Sequence, residues 1–296
     1  MSRQLISATL KQFDRLRTAT TSNPRARRAL ELSAIVLFIV TIYLSRNAIP
    51  AKADVDWRFI LISSLVVSPL MVVWMGAQYH LAGQLTGQAI PTAEAARVAL
   101  LSGAANLLPI PGSVAIRAER LQSKGVSLKR AAAAATLVGL AWLGSSGLLF
   151  AVVMVTSSPS MAAAGAAIGG AGLAAYGVGA HRLAPEKSSG LFLLGVAQGL
   201  GMATTAGVNL LVVGYALDFD PSLESAFVIS VSGVLAAAVG IFPGGLGLRE
   251  GFAVALSGLI EMSASEAALA AATVHLTIIV VLLVGVTILT VSSRWT

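Results

Sequence analysis

The chain of 296 residues has no cysteine and only three histidines, and its Asp, Glu, Lys and Arg together make up just 11% of it. Without cysteine there are no disulfides, thiolate metal sites or cysteine nucleophiles. Three histidines are too few for a histidine-rich metal site, and no metal or other cofactor is expected. Charged residues normally form roughly a quarter of a soluble domain. Here hydrophobic residues reach 56% and the mean hydropathy is +0.84, which excludes a soluble globule. Aromatics are scarce at 6%, whereas glycine is abundant with 29 residues, so helices can approach closely. This is the composition of an integral membrane protein.

A spanning helix takes about 20 mainly apolar residues. Residues 29–45 can span by tolerating Glu31, and 59–81 can do so despite Pro69. The stretch 131–180 is free of charge, and Ser157-Ser158-Pro159-Ser160 cuts it into two spans. Residues 188–217 and 267–293 supply two more. Two further apolar stretches, 98–116 and 225–248, each run into a Pro-Gly break. Irregular backbone at membrane depth is tolerated only inside protein or along a cavity, so these stretches read as re-entrant hairpins. The expected fold is all-α: a polytopic membrane helix bundle with about six full spans and two broken hairpins.

With a cytoplasmic N-terminus and hairpins that return to their side of entry, all 20 Lys and Arg except Arg46, Lys52, Arg58 and Arg249 fall on the cytoplasmic face. That is the positive-inside pattern, and it places the chain in the cell membrane with both termini cytoplasmic. The pI of 10.2 then reflects loops facing anionic lipid, not nucleic acid. Residues 1–28 form a basic cytoplasmic tail with no apolar core of a signal peptide. Ile6, Leu10 and Phe13 recur at near-helical spacing, which fits a helix lying on the leaflet. A disordered tail that only fixes topology fits equally well. Residues 29–296 read as one transmembrane domain.

The strongest signal is internal similarity. Pro111-Gly112-Ser113-Val114-Ala115-Ile116-Arg117 aligns with Pro243-Gly244-Gly245-Leu246-Gly247-Leu248-Arg249 at a spacing of 132 residues. The match resumes at Val126 and Met262, and each copy then enters an Ala-rich span. The repeats cover about 92–156 and 223–292. Three crossings separate the two breaks, so the second should lie on the opposite face, in an inverted repeat. Paired broken segments of this kind point to a transport site near the midplane.

Proline removes a backbone donor and glycine permits left-handed backbone. Pro109, Pro111-Gly112 and Pro243-Gly244-Gly245 should therefore end one half-helix and start another. Ser113 is the expected N-cap of the first new helix. A new helix N-terminus offers free N–H groups and the positive end of a dipole. Arg117 and Arg249 lie about one turn inside, where a planar guanidinium suits a phosphate. Glu250 and Glu119 are candidates to partner the arginines or carry a proton. The plainer reading is that all four sit at hairpin mouths with the arginines reaching to water. His275, Asn106, Gln198 and Asn209 read as polar packing residues within spans. Gly165, Gly169, Gly170, Gly172, Gly177 and Gly179 mark close helix packing. No nucleophile triad, zinc motif or nucleotide loop is present, so the chain is not expected to be an enzyme.

Residues 243–250 resemble the signature of the lysylphosphatidylglycerol synthase transmembrane-region family, flippase-like proteins with archaeal dolichol-pathway relatives. Asn106, Leu107, Leu108 and Pro109, with Arg117 eight positions on, are similar to that family's earlier motif. The resemblance covers roughly residues 59–293. It departs at Ile110 and Ser113, where the family has glycine, and along 136–145, where a charged segment is replaced by an uncharged one. It implies translocation of an anionic or isoprenoid-phosphate-linked lipid between leaflets, with membrane lipids bearing a phosphate headgroup as partners. The soluble aminoacyl-transfer domain of some relatives is not expected here. Two other readings fit the residues: an accessory protein or enzyme of polyprenyl-phosphate glycolipid metabolism, and a proton-coupled small-solute transporter.

Overall fold

The computed structural model describes residues 36, 39, 43, 55–106, 112–239 and 245–292. Among them are nine helices and no strand. Helix α1 spans Trp57–Thr86, α2 Thr92–Ala105, α3 Gly112–Gln122, α4 Leu128–Met154 and α5 Pro159–Leu183. Helix α6 spans Ser188–Ala216, α7 Leu223–Val239, α8 Leu248–Ser257 and α9 Ala264–Ser292. Five of these (α1, α4, α5, α6 and α9) are long and apolar enough to cross a bilayer. They match five of the six expected spans and give the chain the build of an integral membrane protein. The sixth, at 29–45, and the tail at 1–28 lie outside the described residues, save Val36, Ile39 and Tyr43, which are helical and exposed.

Local chemistry sets the helix ends. The Asp56 carboxylate accepts from Arg58 N at 2.9 Å and starts α1. Gly87, in the left-handed region with φ 80°, stops it. Pro69 lacks an N–H, and the five residues before Ser68 form a wider π-turn, Ser63–Val67. The Ser-Pro segment at 157–160 does divide the long apolar run: α4 ends at Met154 and α5 opens with Pro159 in its first turn.

Both Pro-Gly stretches are interrupted helices. α2 and α3 flank the first break and pack on each other, as do α7 and α8 at the second. α3 has 11 residues and α8 has 10. At about 1.5 Å per residue, neither covers the roughly 30 Å hydrocarbon core of a bilayer. Pro109, Pro111, Pro243 and Gly244 themselves lie outside the described residues.

The packing pattern repeats. α1 packs on α2, α2 on α3, α3 on α4, and α1 on α4. The same four contacts recur among α6, α7, α8 and α9. Contacts between the two sets are reciprocal as well: α4 touches α6 and α7, as α9 touches α1 and α2. α1 and α6 meet each other, and α5 lies outside the scheme. The structural unit is thus four helices. It includes the α1 and α6 helices, which precede the segments in which the sequence match is visible.

α4 and α5 form the closest helix pair. A Cβ placed on Gly147 would lie 2.9 Å from the Gly169 Cα, and one on Gly144 would lie 3.0 Å from the Gly169 carbonyl oxygen. Small residues let the two backbones approach to this distance, and dispersion between them then holds the helices together in lipid. A Cβ on Gly170 would touch nothing within 4 Å. Gly147→Leu should lower stability by about 1–3 kcal/mol or more through overpacking. Gly170→Leu should leave it unchanged. Thermal unfolding in detergent distinguishes the two, and an equal effect from both would discount the glycine contact.

Candidate functional site

The first break is closed by a side chain that reaches across it. Asn106 ends α2, and its Oδ1 accepts from the Ser113 backbone N–H at 2.8 Å. α3 already begins at Gly112, so Ser113 lies inside the first turn and does not cap it with its own hydroxyl. The capping acceptor is Asn106, whose reach over seven residues spares one of the orphan donors of the new helix. Asn106, expected to be packing glue, is thus a cap.

Arg117 sits one turn on, only 5% exposed. Its Nη1 donates to Gln78 Oε1 of α1 at 2.9 Å. The Gln78 Nε2 lies 3.3 Å from the Met202 sulfur, and Gln198 Nε2 approaches the same sulfur at 3.7 Å. α3 is thereby linked to α1 and α6. Arg117 Nε, Gln198 Oε1 and Trp142 Nε1 are buried without a hydrogen-bond partner among the described residues. Trp74, Trp142, Met71 and Met202 pack together beside this group. Glu119 is exposed and makes no ion pair with Arg117. The sequence pattern offered no sign of Gln78 beyond a polar residue within an apolar helix.

At the second break, Gly245 and Gly247 both have φ 75°. That region is costly for any residue with a Cβ, so the turn into α8 depends on glycine. Gly247 caps α8 with no side-chain bond. Arg249 is 9% exposed, and its guanidinium lies against Gly233 of α7, where an added Cβ would come within 3.4 Å of Arg249 Cζ. Glu250 is fully buried at 0%. Its Oε1 is 3.4 Å from His275 Nδ1 on α9, and its Oε2 has no hydrogen-bond partner among the described residues. Arg249 Nε is likewise buried and unpartnered.

The expected charges therefore separate into two sets with different company. Arg117 goes with Gln78, and Glu250 goes with His275. Neither arginine has a carboxylate within salt-bridge distance among the described residues. Asn209 is packing glue as expected: it accepts from Ser63 Oγ at 2.6 Å and donates to Ser68 Oγ at 3.2 Å, and Thr277 completes the group linking α1, α6 and α9. Chemically, each break presents a helix start and a buried guanidinium with a spare donor. A buried N–H of a charged group left without an acceptor is expensive, and an anion that accepts from it and from the helix start would satisfy both.

Comparison with protein-family models and with curated proteins finds no match to this chain.

Gln78→Leu removes the one acceptor seen for Arg117. It should cost about 1.5–3 kcal/mol, the range for a hydrogen bond to a charged group. Arg117→Met in that background should recover most of the loss, since the stranded charge goes with it. A double-mutant cycle on unfolding in detergent measures the coupling, and simple additivity would contradict the pairing.

Proposed function

We propose that the chain is an integral membrane lipid translocase that moves an anionic or isoprenoid-phosphate-linked lipid between leaflets. The observation that carries this reading is the pair of buried arginines, each in the first two turns of a helix that starts at a break and each without a salt bridge among the described residues. The headgroup would meet Arg117 or Arg249 together with the helix starts at Gly112 and Gly247. The tryptophan and methionine cluster beside Gln78 offers an apolar, polarisable surface to the chain that follows the headgroup.

The recurrent packing of α1–α4 and α6–α9 supports an inverted repeat. α5 is the additional crossing that would turn the second unit over. Short helices that flank each break fit hairpins entering from opposite faces. Rocking of one unit against the other would then expose the headgroup to each leaflet in turn. The resemblance of residues 243–250 and 106–117 to the flippase-like family points the same way. A soluble-solute transporter would need the same anion site but no place for an acyl or isoprenoid chain.

Arg249→Met is the informative variant. Arg249 makes no salt bridge among the described residues, so the variant should still fold, with a modest drop in unfolding temperature because the buried Glu250 loses its neighbouring cation. It should lose at least tenfold in the recovery of a distinct phosphate-bearing lipid, measured by native mass spectrometry with lipidomics of the gently purified protein. Unchanged lipid recovery at normal stability would rule out a headgroup site at Arg249. A large loss of stability would make Arg249 a structural residue instead.

A further inference from the structure

The two breaks differ in one respect that translocation alone does not use. At the second, a carboxyl and an imidazole are buried together beside the arginine. Glu250 is fully buried, His275 is 5% exposed, and Glu250 Oε1 and His275 Nδ1 are 3.4 Å apart. Arg249 and Glu250 are consecutive in the first turn of α8, so their α-carbons are about 3.8 Å apart. Among the described residues, nothing of this kind accompanies Arg117, whose hydrogen-bond acceptor is the neutral Gln78.

Charge balance in this low-dielectric place is restrictive. With no ligand, Arg249 positive, Glu250 negative and His275 neutral sum to zero. A singly charged anion against Arg249 leaves one uncompensated negative charge. A proton on His275 restores the balance, and the imidazolium then donates from Nδ1 to the Glu250 carboxylate already facing it. Among the described residues, the surrounding elements do not supply the missing charge. α7 carries only Glu224, in its first turn. α9 adds only Glu266, whose Oε2 accepts from Ser263 N at 2.9 Å. Beyond α9, α1 brings the exposed Arg58, His80 bonded to the Ile90 carbonyl, and Tyr79 bonded to Glu94. α2 brings Glu94, ion-paired to Lys124, and the exposed Arg97, while α6 brings the exposed Tyr215.

We infer that an anionic headgroup at Arg249 binds together with one proton, taken from solution onto His275 and held by Glu250. This rests on the headgroup reading of Arg249. It makes the second break the coupled site and the first an uncoupled one, and it supplies an energy source for translocation, namely a proton gradient.

The test uses the full chain in an uncharged detergent. The probe is dioctanoyl phosphatidylglycerol, a phosphodiester whose single charge is constant over the pH range used. Titration calorimetry at several pH values, in buffers of differing ionisation heat, reads affinity and proton uptake together. Wild type should bind more tightly as pH falls, by up to about tenfold per pH unit, and take up about one proton. His275→Gln should bind with an affinity independent of pH and without uptake. Glu250→Gln, whose empty site already carries surplus positive charge, should bind without uptake. Binding by wild type at one affinity throughout, or proton uptake that survives in His275→Gln, would overturn the coupling and leave the headgroup site standing. Absence of saturable binding by wild type at every pH would instead sink the headgroup reading, and the coupling with it.

Discussion

A helix interrupted among apolar surroundings leaves backbone N–H and C=O groups that water cannot reach, and each such group is expensive to abandon. The rest of this molecule is arranged around two such interruptions. At the first, the Asn106 side chain reaches across to the Ser113 N–H. At the second, two glycines with φ 75° fold the chain into α8, and no side chain caps the new helix. Each new helix then places a buried arginine in its first turn or two, Arg117 against Gln78 of α1 and Arg249 against Gly233 of α7.

The remainder of the bundle holds these short segments where they are. α3 and α8, at 11 and 10 residues, are too short to hold as isolated helices in water, and their order comes from packing. Each lies between a preceding apolar helix and a following long one, α2 and α4 in one case, α7 and α9 in the other. α4 and α6 meet near the middle, and α4 is fastened to α5 through facing glycines. A neutral hydrogen-bonded group of Ser63, Ser68, Asn209 and Thr277 ties α1, α6 and α9 together at the π-turn. Such bonds add modestly to helix association in lipid, but they fix register where apolar side chains alone would slide. The scaffold is tightly packed, and the buried Arg, Glu and His side chains among the described residues are Arg117 at the first break and Arg249, Glu250 and His275 at the second.

Much of this was legible in the sequence because it rests on residues with few substitutes. Pro and Gly announce interruptions, and Arg117, Arg249 and Glu250 stood out as charges in apolar stretches. The glycines at 165, 169 and 172 foretold the close α4–α5 contact. What stayed hidden depends on which helix lies next to which. Gln78 is one polar residue in α1, and only packing brings it to Arg117, 39 residues away. His275 read as a packing residue because its partner is 25 residues distant. Ser113 looked like a cap because serine commonly is one, but the helix begins a residue earlier and Asn106 takes that role. The four-helix unit was visible over only three of its helices. α1 and α6 are both apolar and lack the Pro-Gly marks that reveal equivalence.

The account turns on the two units having opposite orientations in the membrane, so that the breaks approach from opposite faces. The absence of cysteine makes this directly measurable. Single cysteines at Ser123, in the turn after α3, and at Glu261, in the turn after α8, both occupy exposed loops. A membrane-impermeant thiol reagent applied to sealed vesicles of known sidedness should label Cys at 123 from the cytoplasmic face and Cys at 261 from the other. Labelling of both from one face would mean parallel units, and the alternating-access account would have to be given up.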